Sequence, residues 1–249
     1  MLPQLQTWTS VQRTAQNNVR LGATLCFVAG ATNAGGFLAV GEYTSHMSGI
    51  VSAVADNLVL GKIGLALAGL LYLMAFIAGA MTTTWMVNWG LRRKKESAYG
   101  RPLVLEAALL LVFGLFGTGI NFFAGLFVPL TVLVLCFIMG LQNAVITKIS
   151  NAEIRTTHIT GLVTDLGIEL GKLFYVNRLT RETLVTANHK KLRIHLALIS
   201  SFFIGGLVGA IGFKWVGFIA TLPLSVLLLA LVWRPMLHDA RNWIEPPVK

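Results

Sequence analysis

Charge is scarce in this chain. Asp, Glu, Lys and Arg make up 12% of its 249 residues, against about 25% in a typical soluble domain, so an ordinary water-facing surface is excluded. Ten carboxylates and five histidines are scattered along it, which leaves little for a clustered acid–base or metal shell, and neither an enzyme nor a metal or cofactor site is expected. The two cysteines, Cys26 and Cys136, lie inside apolar runs. Their number and placement exclude a disulfide framework. No P-loop, dinucleotide fingerprint, HExxH helix or GxSxG elbow occurs. The alternating ten-residue pattern of a membrane β-barrel is also missing. Residues 1–19 have no apolar stretch ahead of a small-residue cleavage site, so they read as a cytoplasmic lead rather than a signal peptide.

What is abundant is apolar sequence. Hydrophobic residues account for 55% of the chain, and the mean hydropathy is +0.72. Stretches near twenty residues with almost no charge fall at about 20–41, 64–89, 103–123, 129–149, 192–213 and 216–233, each long enough to cross a bilayer as a helix. Pro102 and Pro129 mark the expected starts of the third and fourth helices, and Pro235 the end of the sixth. Trp85, Trp89, Trp215 and Trp233 sit near the ends of these runs, as belt aromatics do. Gly205 and Gly209 form a GxxxG spacing suited to close helix packing.

The net charge of +10 is unevenly placed. With the N-terminus inside, 18 of the 20 Lys and Arg fall in cytoplasmic segments, leaving Lys62 and Lys214 outside. That bias predicts an N-in, C-in topology and basic clusters that face anionic lipid rather than nucleic acid.

The chain also repeats itself. CFVAGATNA at Cys26–Ala34 matches CFIMGLQNA at Cys136–Ala144, TSHMSG at Thr44–Gly49 matches TTHITG at Thr156–Gly161, and Gly61–Lys62 matches Gly171–Lys172. The halves are 20–123 and 129–233, with a tail at 234–249. Each holds three expected spans, an odd number, so the copies run through the membrane in opposite senses. Inverted repeats of this kind build many transporters and channels. The segments after the motifs, 48–60 and 160–170, span about 16–20 Å as helices and cannot cross a bilayer. They are expected to be re-entrant or interfacial.

The candidate site follows from the repeat. Asn33 and Asn143 place an amide in apolar surroundings, where it needs a partner. His46 and His158 hold equivalent places and would suit a proton relay or solute contact. Thr44 and Thr156 open the same motifs as solute-contact candidates, and the Ser48–Gly49 and Thr160–Gly161 pairs suit helix starts, where a hydroxyl caps free amides. Their positive ends would hold an anion or polar group if submerged. Asp165 and Glu169 share a helical face with His158. The fold expected is all-α: a polytopic membrane protein with six spans in a 3+3 inverted repeat and two short helices. The function expected is a transporter or channel for a small polar or anionic solute. A non-transporting scaffold or partner subunit is the alternative, with a membrane-embedded enzyme behind it, and self-association into a homo-oligomer is left open.

TSHMSG together with GLQNA and IRTTHITGLVTDLG resembles the YoaK-like family of bacterial integral membrane proteins of unknown function, over roughly Arg20–Trp233. Ile50 stands where Asn is common in that family, and His158 where an aromatic is common. The resemblance implies the bacterial cytoplasmic membrane and six spans.

Overall fold

A computed structural model describes residues 8–11, 13–116, 124–151, 154–177 and 184–244. The end of the expected third span, 117–123, lies outside the described residues, as do Arg178, Arg181 and the last five residues. The described chain is helical: α1 Ala15–Val40, α2 Met47–Val59, α3 Ile63–Arg92, α4 Gly100–Phe116, α5 Ala124–Ile149, α6 Ile159–Leu173, α7 His189–Val216 and α8 Thr221–Ile244. A single 3-10 turn, Gly217–Ala220, separates the last two. Among the described residues, four stretches are long and apolar enough to cross a membrane: Ala15–Val40, Ile63–Arg92, Val128–Ile149 and the 54-residue His189–Asn242, which contains both α7 and α8.

Several boundaries differ from those the prolines predicted. α5 starts at Ala124, with Pro129 inside it. α8 runs through Pro235 to Ile244. That extension is held from outside: Asp239, on its last turns, accepts hydrogen bonds from the backbone N–H groups of Glu96 and Ser97 and from the Ser97 hydroxyl. The N-terminal lead is also anchored, since Thr9 is buried and its hydroxyl donates to the Leu231 carbonyl at 3.0 Å. α1 begins at Ala15, capped by the Thr14 hydroxyl, which accepts from the Asn17 amide.

The long helices associate in pairs: α1 with α7, α3 with α5, and α4 with α8. The first two crossings share one device, a Phe and a Gly three residues apart on every helix. Gly30 of α1 lies on the Phe202 carbonyl of α7, while Gly205 of α7 lies on the Phe27 carbonyl of α1. Gly79 of α3 lies on the Phe137 carbonyl of α5, and Gly140 of α5 on the Phe76 carbonyl of α3. A Cβ at any of the four would overlap the opposing oxygen. Gly209 meets the Ala31 carbonyl in the same way, so the Gly205–Gly209 spacing does serve packing. Backbones this close gain dispersion and weak Cα–H···O contacts. The α4–α8 pair is joined by hydroxyls instead: Ser225 donates to the Ala107 carbonyl at 2.6 Å, and Thr221 to that of Leu110 at 2.9 Å.

The core runs along α5, where Leu135, Ile138, Met139, Leu141 and Ile146 are fully buried, and continues to Leu21 and Leu25 of α1 and Leu198 of α7. The outside is just as apolar. Leu65, Leu67, Leu71, Met74 and Trp85 of α3 are exposed, as are Phe203, Ile204, Leu207 and Ile211 of α7. Contiguous apolar surface on this scale belongs in lipid.

Overpacking sets a test. Gly140→Ala is expected to destabilise the protein by about 1–3 kcal/mol or more, because the Phe76 backbone cannot yield as a side chain would. Gly167→Ala, on α6 with nothing within 4 Å of its new methyl, is expected to be neutral or stabilising by about 0.5–1 kcal/mol through helix propensity. Thermal unfolding of the two variants in detergent checks both.

Candidate functional site

The two matched motifs build the same local structure twice. α1 ends at Val40, where Gly41 at φ 76° donates its amide back to the Phe37 carbonyl. The chain then doubles back. Ser45 donates its backbone N–H and its hydroxyl to Asn33 Oδ1, at 3.2 and 2.9 Å. Asn33 lies seven residues before the end of α1, so the chain has retreated about 10 Å along the helix. α2 starts there and climbs out again. A three-residue turn through Gly61, at φ 70°, feeds it into α3. Val54 lies where a Cβ on Gly69 would point, so α2 lies antiparallel along the start of α3.

In the second half, Asn143 stands six residues before the end of α5. Its Oδ1 accepts from the Thr156 hydroxyl at 3.1 Å and from the Thr157 backbone N–H at 3.4 Å. Its Nδ2 donates to the Thr157 hydroxyl at 2.7 Å and to the Met139 carbonyl at 2.9 Å. Thr157 holds the place of Ser45. α6 begins at Ile159 and packs along α7. Each asparagine therefore latches the returning segment of its own half, and the buried amide finds the partners that an apolar setting demands.

The motif residues divide into two sets. Asn143, Thr44 and Thr156 are buried and Asn33 is half-buried; they form the latch. The Thr44 hydroxyl has no hydrogen-bond partner among the described residues, unlike that of Thr156. His46, Ser48, His158, Thr160, Gly161 and Asp165 are exposed, and Gly49 is half-buried. His46 and His158 occupy the N-cap positions of α2 and α6, and neither side chain caps its helix. The expectation that Ser48 and Thr160 hydroxyls cap these starts is not met, since both residues lie within the first turn. The His46 ring lies over Gly49, whereas the space over Gly161 is open. Although His158 is exposed overall, partial desolvation of its ring and then the neighbouring Arg155 push the imidazole below its ordinary value, favouring the neutral ring. No hydrogen bond or ion pair joins the 44–49 and 156–161 segments among the described residues.

Asp165, Glu169 and Lys172 of α6 line a cavity with the start of α7. Glu169 is tied down there: Oε1 takes Lys172 Nζ at 2.9 Å and Oε2 takes the Asn188 backbone N–H at 2.7 Å. These two hydrogen bonds, Lys172 first, hold its carboxyl below the usual range.

Three polar residues were not singled out as site candidates by sequence. Gln142 is buried beside Asn143 and donates to the Leu25 carbonyl at 3.2 Å, linking α5 to α1. Asp239 pins the α3–α4 link. Glu106 is wholly buried on α4, and neither carboxyl oxygen has a partner among the described residues. The available signal was the rarity of carboxylates in apolar helices.

Two outcomes follow. Asn143→Ala removes four hydrogen bonds and is expected to cost about 1–3 kcal/mol. Hydrogen exchange should then rise at 156–161 and stay unchanged at 44–49. For Glu169 the folded value is depressed, so its contribution is complete above the ordinary carboxylate value of about 4.3 and fades as pH falls through the folded value. Glu169→Gln should therefore unfold at a lower temperature than the unsubstituted protein at pH 7. That gap should close on acidification.

Comparison with known proteins finds a family and a transmembrane relative. Residues 21–233 match the family described as a protein of unknown function, DUF1275. The chain is 31% identical over 157 residues to the UPF0700 transmembrane protein YoaK of Bacillus subtilis (strain 168), covering 61% of this chain and 67% of that protein. No solved structure matches it. With apolar helices, an apolar exterior and a family match over most of its length, the chain belongs to the DUF1275, YoaK-like family of multi-pass membrane proteins.

Proposed function

We propose that this protein is a six-span transporter or channel of the bacterial cytoplasmic membrane. Its two halves are inverted repeats, both termini are cytoplasmic, and a small polar or anionic solute passes between the halves. The observation that carries the reading is the twin latch. Asn33 with Ser45, and Asn143 with Thr157, set the starts of α2 and α6 back from the ends of the preceding helices. If α1 and α5 cross the bilayer in opposite senses, those two starts enter it from opposite faces. Discontinuous helices whose positive ends reach toward the midplane are how many transporters meet their solute.

The helix pairing supports the inversion. Exchanging the halves converts the α1–α7 crossing into the α5–α3 crossing, Phe for Phe and Gly for Gly. It also converts the α2–α3 hairpin into the α6–α7 pair and leaves α4 beside α8. In this reading the exposed lip, His46, Ser48 and Gly49 on one side and His158, Thr160, Gly161 and Asp165 on the other, flanks the path. Asn33, Thr44, Asn143 and Thr156 shape it from behind. The scaffold reading has one observation in its favour: α2 has no buried residue, which leaves its surface free for another protein.

Two measurements decide. Single cysteines in place of His46 and His158, labelled by a membrane-impermeant maleimide, should react from opposite compartments. Proteoliposomes tested against a panel of small polar and anionic solutes should show uptake that falls at least tenfold in Ser48→Leu/Thr160→Leu, a pair that leaves the latches intact. Labelling from one side alone defeats the inversion. Stable co-purification with another membrane protein, and no flux, favours the scaffold.

A further inference from the structure

By sequence alone Lys172, Lys190, Lys191 and Arg193 are topology signals spread along a link. The fold gathers all four around one cavity of about 1000 Å³. Its walls are the first turn of α1, the later half of α6 and the first two turns of α7. Two carboxylates share the lining, but Glu169 is already engaged by Lys172 and the Asn188 amide. Lys190, Lys191 and Arg193 have no ion-pair partner among the described residues. His195 adds an Nδ1 that is shielded from solvent and has no hydrogen-bond partner among the described residues, an arrangement that calls for an explanation. Cations serving only to face lipid headgroups would lie on a convex outer surface. These converge on a concavity, where low-dielectric walls strengthen their combined field.

We propose that this cavity binds a phosphate-bearing anion, an assignment that rests on the transport reading and narrows its solute class. Three cations without an ion-pair partner among the described residues favour a ligand with more than one negative charge. The guanidinium fork of Arg193 suits the paired oxygens of a phosphate, with the lysines acting as point charges beside it. A free phosphorylated solute and a phospholipid headgroup offer that same chemistry.

The test uses the full chain in nanodiscs. In phosphatidylcholine discs, inorganic phosphate and pyrophosphate are titrated by calorimetry; in a second arm the discs also contain phosphatidylglycerol, and retained lipid is read by native mass spectrometry. Saturable phosphate binding in the first arm identifies a free solute. Retention of phosphatidylglycerol in the second identifies a headgroup. Either should weaken with salt, and should drop about tenfold in Lys190→Gln/Lys191→Gln/Arg193→Gln, with Arg193→Gln alone as the milder variant. Lys94→Gln/Lys95→Gln, in the α3–α4 link, should bind as the unsubstituted protein does. Absence of binding in both arms, or equal loss in the two sets of variants, overturns the assignment. Solute flux without phosphate binding removes this site and leaves the transport reading standing. Phosphate binding without flux does the reverse.

Discussion

Close backbone contact at four glycines is what the rest of this bundle depends on, because apolar burial has little to say where the surroundings are apolar too. Leucine on the outside of α3 is as content as leucine in the core, so the usual sorting of side chains cannot choose a partner helix. In lipid that choice falls to van der Waals fit, weak Cα–H···O contacts and the few polar groups able to bond across helices. Gly30, Gly79, Gly140 and Gly205 each admit an opposing carbonyl where any side chain would exclude it. The reciprocal arrangement fixes both register and distance, since each helix offers one glycine and one carbonyl three residues apart. A shift of a single residue would set side chain against backbone in both places at once.

Once those crossings are fixed, the asparagine latches have a rigid frame to hold. Asn33 sits three residues after Gly30, and Asn143 three after Gly140, so packing glycine and latching amide are adjacent on neighbouring turns of one helix. The glycine positions the helix and the amide positions the chain that folds back beside it. An asparagine serves well because one side chain supplies both an acceptor and a donor. The first half uses the acceptor, toward the amide and hydroxyl of Ser45. The second uses both ends and so binds its segment with more bonds.

Much of this was written in the sequence in a form that could be read. The matches around Cys26 and Cys136, Thr44 and Thr156 mark the first helix and the return segment of each half, and the asparagines announce themselves as amides in need of partners. The matching second helices were harder to see. Phe76 with Gly79 and Phe202 with Gly205 align at a fixed spacing, yet two residues in an apolar run are lost among many other phenylalanines and glycines until the carbonyl contacts reveal their use. The prolines misled at two places for a local reason. Pro129 lies within the opening turns of α5 and Pro235 within α8, where the helix is held further on by Asp239 bonding to the α3–α4 link. Glu106 and Gln142 were obscured by the opposite problem: nothing in a one-dimensional pattern says which way a lone polar residue on an apolar helix will face.

A duplicated backbone does not make the two faces of the protein equivalent. The halves share their helix crossings and latches, but the side chains around them have diverged in a consistent direction. The first return segment is followed by an apolar α2 that carries Asp56 as its single charge. The second is followed by α6, with Asp165, Glu169 and Lys172, which faces Lys190, Lys191 and Arg193 across a cavity. His46 covers Gly49, while the matching glycine stands open. Symmetric crossings give two related ends the same geometry, and the charges then distinguish them. Under the proposed transport reading, an anion near α6 would meet a positive field over a Debye length of about 8 Å, and one near α2 an almost neutral rim. Electrostatic focusing of that kind raises the local concentration of anions beside α6 and not beside α2. Charge laid over a common frame is therefore enough to distinguish the two halves, and requires no difference between the frames themselves.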